Sequence, residues 1–150
     1  NDLLSALLAH PFLTLHPPKS TGREDFNLTW LTQILSNSPL SINAEDVQRT
    51  LLEFTALSIK DGLSCGSSTP PQEVFVCGGG AQNNALMHLL ADKMPKSVIA
   101  DTTPLGLAPD WVEAVAFAWL AKQTMSHLPG NLPSVTGAGS ETILGGVYYA

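Results

Sequence analysis

Apolar residues recur along this chain at helical spacing far more often than they alternate. Leu3, Leu4, Leu7 and Leu8 form one short apolar face behind an Asn1/Asp2 cap. Pro11 and then Pro17-Pro18 end that helix and impose an extended loop as far as Gly22. Phe26, Trp30, Leu31, Ile34 and Leu35 make the stripe of a second helix, with Glu24 and Asp25 in its first turn. Asn43 caps a long third helix carrying Val47, Leu51, Phe54 and Leu57 on one side, and Gly62 stops it. Gly62–Gln72 is rich in Gly, Ser and Pro and reads as a loop. It leads into a strand over Glu73–Cys77.

The pattern changes after that strand. Three glycines, Gly78, Gly79 and Gly80, precede a fourth helix that opens on Asn83 or Asn84, carries Leu86, Met87, Leu89 and Leu90, and ends at Pro95. Ser97–Ala100 is a second short strand. Strand, helix, strand in this order predicts a right-handed parallel βαβ unit. The last helix, Pro109 to about Met125, is apolar nearly all round and is therefore expected to be buried. Leu128–Thr136 is loop, and Thr142–Tyr149 is expected to add a final strand. The fold class is α/β, helix-rich, with a small mostly parallel sheet in a single domain over residues 1–150.

Composition narrows the function. With 13% charged and 44% apolar residues in 150 positions, the chain has enough apolar material for one core and is not disordered. A net charge of −6 with seven scattered basic residues argues against nucleic acid or a polybasic membrane patch. Cys65 and Cys77, one in a loop and one packed at a strand end, fit a reduced cytoplasmic protein. The four histidines show no metal-ligand spacing, and no signal peptide or membrane span is visible. The start on Asn1-Asp2, without methionine, suggests a fragment or a processed chain.

The glycine turn is the leading chemical candidate. Glycine lets backbone approach a phosphate closely, and a helix start offers free N–H groups with partial positive charge. The plainer reading is a tight connection that needs a left-handed residue. Gly78 and Gly80 also fit the first part of a dinucleotide fingerprint, with Asp101 where a ribose-binding acid would sit, but Asn83 stands in the third glycine position. That leaves an NAD-binding oxidoreductase domain as an alternative. Lys19-Ser20-Thr21-Gly22-Arg23 lacks the upstream glycines of a P-loop. Thr21 and Glu24 fit a capping box better, with anion contact the other possibility. Glu113 is the one charge between Asp110 and Lys122. It answers either to the dipole of its helix or to a ligand.

Four stretches together resemble the anhydro-N-acetylmuramic acid kinase family. They are Pro17-Pro18-Lys19-Ser20-Thr21-Gly22-Arg23-Glu24; Val76-Cys77-Gly78-Gly79-Gly80-Ala81-x-Asn83; Glu113-Ala114-x-Ala116-Phe117-Ala118-Trp119-Leu120-Ala121; and Gly130-Asn131-Leu132-Pro133-Ser134-Val135-Thr136-Gly137-Ala138. The resemblance runs from about Leu3 to Ala150 and covers the C-terminal portion of the family's length. It implies the second, nucleotide-holding lobe of a two-lobed, actin-like (ribonuclease H-like) sugar kinase of cell-wall recycling. Such an enzyme uses ATP and Mg2+ to hydrolyse and 6-phosphorylate 1,6-anhydro-N-acetylmuramic acid. By the same resemblance Gly78, Gly79, Gly80 and Asn83 contact the nucleotide and Glu113 faces the sugar. The catalytic aspartate and the first phosphate loop belong to an N-terminal portion that this chain lacks, so no catalytic residue is assigned here. Alone, the chain is expected to be inactive, to bind nucleotide weakly or not at all, and to self-associate through uncovered apolar surface. A third reading keeps the glycine turn purely structural.

Overall fold

The computed structural model describes residues 2–38, 42–65 and 69–148. Asn1 and Tyr149, named above in a cap and a strand, lie outside them, as does part of the Gly62–Gln72 loop. The helices are α1 (Asp2–Leu8), α2 (Pro11–Thr14), α3 (Leu28–Ser36), α4 (Ala44–Ser64), α5 (Asn84–Lys93), α6 (Val112–Met125) and α7 (Pro133–Thr136). Two strands, β1 (Glu73–Val76) and β2 (Val98–Asp101), flank α5 and pair in parallel, with Glu73 opposite Val98 and Val76 opposite Asp101. The predicted βαβ unit is therefore present.

The spine of the molecule is α4. Asn43 Oδ1 accepts the Asp46 N–H at 2.8 Å, and Glu45 and Asp46 place negative charge against the positive end of the helix. One stripe, Leu52, Ala56 and Ile59, packs against Leu86, Leu89, Leu90 and Met94 of α5 and its C-cap and against Val74, Val76 and Ile99 of the sheet. Ala56 is fully buried, and its small side chain lets α4 and α5 come close. Another face carries Phe54 into a cluster with Phe26, Trp30 and His10, whose rings meet edge-on or tilted at 4.5–6.0 Å. Leu3 and Leu7 of α1 are buried nearby. Lys93 on α5 pairs with Glu53 on α4 and fixes their register from outside.

Five expectations need correction. Pro11 opens a short helix rather than a loop, because proline suits a first helical position, and His10 Nδ1 caps it by accepting the Phe12 N–H. The next helix starts at Leu28, with Asn27 Oδ1 accepting the Trp30 N–H. Thr21 bonds Asp25 instead of capping, so Glu24 and Asp25 precede the helix. Gly62 does not stop α4, which continues to Ser64. Thr142–Tyr148 forms no strand, and the side chain of Asn131 holds the chain at its start by bonds to Ser140 O and Thr142 N.

The largest correction concerns α6. It is apolar nearly all round, yet Trp111 just before it, Phe117 and Trp119 are 64%, 63% and 51% exposed, because no described element covers those faces. No helix among the described residues is long and apolar enough to cross a membrane.

Leu90 is fully buried at the junction of α4, α5 and the sheet. Leu90→Ala should cost about 2–5 kcal/mol in urea unfolding. A loss under 1 kcal/mol would mean the α4–α5–sheet core is not the cooperative unit.

Candidate functional site

The carboxyl ends of both strands open on one edge of the sheet, the place where parallel α/β sheets receive ligands. At the end of β1 the chain enters a 3₁₀ turn over Gly78–Gln82, and Asn83 then caps α5 by accepting the Leu86 N–H on Oδ1 at 3.1 Å. Gly78 has φ +67°, a conformation that favours glycine, so the connection alone accounts for it. Gly79 is different. Its φ is not left-handed, it is exposed, and a side chain there would meet nothing within 4 Å. Neither backbone geometry nor packing requires glycine at that position.

Beside the turn, Glu45, Gln48, Arg49, Leu51, Leu52, Thr55, Asn83 and Ala85 line a groove of about 500 Å³ between α4 and the start of α5. That volume lies in the range of small-molecule sites. Of the α4 part of this wall only Leu51 was singled out in the sequence, as part of a helical stripe; the i, i+3, i+4, i+7 spacing of Gln48, Leu51, Leu52 and Thr55 places them on one face. Arg49 supplies the cation, with a loose contact to Glu53 at 3.7 Å.

On its other side the turn is tied to the start of α6. Gln82 Nε2 donates to both carboxylate oxygens of Asp110, at 2.8 and 3.0 Å, and the turn packs against the 3₁₀ segment Pro109–Trp111. Glu113 follows one helical turn later and is exposed rather than buried, so the desolvation argument made for it from sequence does not apply. The fold thus gathers Gly78, Gly79, Gly80 and Asn83 at one edge and connects that edge to the helix that carries Glu113.

Other candidates fall elsewhere or change meaning. Asp101 ends β2 as expected, but its Oδ1 accepts the Thr103 N–H at 2.8 Å. Cys77 is exposed, not packed. Lys19 donates to the carbonyls of Phe12 and Leu13 at 3.0 and 3.1 Å and sits over the Phe12 ring, so it serves as the C-terminal cap of α2. With Thr21 it lines a separate apolar cleft against Phe54 and Ile59. No group of three or more His, Cys, Asp or Glu able to hold a metal ion occurs among the described residues.

A glycine turn at the end of a parallel strand, leading into a helix beside a groove, defines a helix-rich α/β protein with a candidate phosphate-binding edge. Comparison with known proteins makes the class specific. The family described as anhydro-N-acetylmuramic acid kinase matches residues 1–150, and the chain belongs to that family. It is 50% identical over 146 residues to the anhydro-N-acetylmuramic acid kinase of Saccharophagus degradans. It is 51% identical over 150 residues to those of Thiobacillus denitrificans and Pseudomonas paraeruginosa. These alignments take in 97%, 99% and 100% of the chain but only 39%, 40% and 40% of the relatives, so the chain spans about two fifths of their length.

Asn83 is already engaged as a cap through Oδ1. Asn83→Ala should therefore cost about 1 kcal/mol of stability, while Asn83→Asp, an equally good cap, should cost little. Equal melting temperatures for all three proteins would show that the cap is not needed.

Proposed function

We propose that this chain is the C-terminal, nucleotide-holding lobe of an ATP-dependent kinase acting on 1,6-anhydro-N-acetylmuramic acid in peptidoglycan recycling. In this reading the lobe has the actin-like, ribonuclease H-like architecture, and the parent enzyme is cytoplasmic. The single observation that carries it is Gly79, a glycine that neither conformation nor packing demands, on the ligand edge of a parallel sheet. A binding surface in which a phosphate lies against the main chain supplies the demand. The N–H groups at the start of α5 add partial positive charge to the same edge. The groove between α4 and α5 then takes the base, with Leu51 and Leu52 as its apolar wall and Gln48, Thr55 and Asn83 as polar contacts.

In the parent enzyme water attacks C1 of the sugar and the C1–O6 bond breaks. O6 takes the γ-phosphoryl group of ATP, ADP leaves, and a base accepts the proton of the water. This chain contributes position: the turn and the groove hold the nucleotide, and Glu113 orients the sugar. The base belongs to the portion of the family's length beyond this chain. Magnesium would be held mainly by the nucleotide's phosphates and would neutralise their charge, a binding mode that needs only one or two protein oxygens. The exposed apolar faces of α6 are where the rest of the parent would pack; without it, concentration-dependent self-association is expected.

The alternative NAD reading is weaker on the geometry. The third fingerprint glycine is replaced by a capping asparagine, and one oxygen of Asp101 is occupied within its own turn.

Calorimetric titration of the chain with MgATP, MgADP and NAD tests the assignment. MgADP should bind weakly, as expected of half a cleft, and at a hundredfold excess over Kd it should stabilise the fold by about 2.7 kcal/mol. Gly79→Val should leave stability within about 1 kcal/mol, as for other open surface positions. It should nevertheless weaken ADP by about tenfold or more, equivalent to about 1.4 kcal/mol. Binding of NAD alone would overturn the kinase reading, and a Gly79→Val protein that binds ADP normally would remove the turn from the site. In the intact kinase, Glu113→Gln should lower sugar-dependent turnover while nucleotide affinity holds. Equal losses in both, or none, would count against a sugar-facing role.

A further inference from the structure

The Gln82–Asp110 pair joins two segments that are 28 residues apart in sequence and that carry the two halves of the proposed site. Gln82 is the last residue of the glycine turn; Asp110 lies in the short segment that launches α6, three positions before Glu113. One amide nitrogen shared by both oxygens of a carboxylate holds the pair in a single orientation, and charge on the acceptor strengthens the bonds. We propose that Gln82 and Asp110 are positioning residues: they hold the first turn of α6, and with it Glu113, in fixed register with the nucleotide-binding turn.

The inference rests on the nucleotide reading of the glycine turn. The pair itself touches no ligand. A nucleotide that orders residues 78–83 then also orders residues 109–113, because the two segments share these bonds and pack together. By linkage, whatever fixes the start of α6 tightens the nucleotide in return. Surface pairs contribute little to stability, so coupling rather than melting temperature is the property to measure.

The side chains allow an isosteric exchange. Gln82→Glu sets two carboxylates against each other and breaks the link. Adding Asp110→Asn to it restores a carboxylate facing an amide over the same chain lengths, with donor and acceptor reversed. The measurement is amide hydrogen exchange with and without saturating MgADP, read separately at residues 78–83 and 109–116. In the unaltered protein ADP should slow exchange at both segments, by about fivefold or more at the second. In Gln82→Glu the protection should persist at 78–83 and vanish at 109–116. In the exchanged double variant it should return to both. Undiminished protection of 109–116 in Gln82→Glu would overturn the link while leaving the nucleotide site in place. A double variant as defective as the single one would also overturn it, since the two side chains would then not act as a pair. Absence of ADP protection at 78–83 in the unaltered protein would instead overturn the nucleotide reading, and this inference with it.

Discussion

The close packing of α5 on α4 is the contact on which the rest of this structure depends. A two-stranded parallel sheet has too little surface to stand alone, so β1 and β2 need a layer beneath them. The Leu52–Ala56–Ile59 stripe of α4 and the leucines of α5 provide it. Because α5 follows β1 directly, its distance from α4 sets the height of the glycine turn above the groove. The fully buried Ala56 sets that distance. A larger residue there would spread the two helices and enlarge the groove at Asn83 and Ala85, so core packing and site geometry are one constraint.

Much of this was legible beforehand, for identifiable reasons. The βαβ unit, the long α4 with its Asn43 cap and the opening of α5 at Asn83–Asn84 all carry strong local signals: a β-branched run, a side-chain cap, a glycine break. The second helix was placed too early because Thr21 and Glu24 satisfy the capping pattern locally, while Asn27 takes the role in three dimensions. The face of α4 that matters most was missed. Val47, Leu51, Phe54 and Leu57 gave the more conspicuous stripe, but the helix is buried on more than one side, and a single periodic stripe shows only one. The groove wall was hidden likewise: Gln48, Arg49 and Thr55 look like ordinary solvent-facing residues until α5 is set beside them.

The last helix shows the opposite failure. Its composition was read as that of a buried helix, and the structure leaves most of it exposed. Composition reports what a segment requires; it does not report whether the same chain supplies it. The relatives are more than twice as long as this chain, and the proposed reading packs their additional length against these faces. Glu113 follows the same logic. Its exposure here removes burial as an argument for function, and what remains is its place one turn beyond the segment tied to the glycine turn.

An acidic chain is not the obvious host for a polyphosphate, and the balance of ranges decides the matter. The net charge of −6 repels a nucleotide at a distance, but at physiological salt that repulsion is screened beyond about 8 Å. On the proposed reading the groups nearest the phosphates are the main-chain N–H groups at the start of α5 and the open backbone at Gly79. Neutral amides carry no hydration shell as strongly held as that of an ammonium group, and the fold orders them before any ligand arrives. Affinity that rests on them falls less steeply with salt than affinity built on a basic cluster. On the proposed reading it also depends on the backbone staying bare at Gly79.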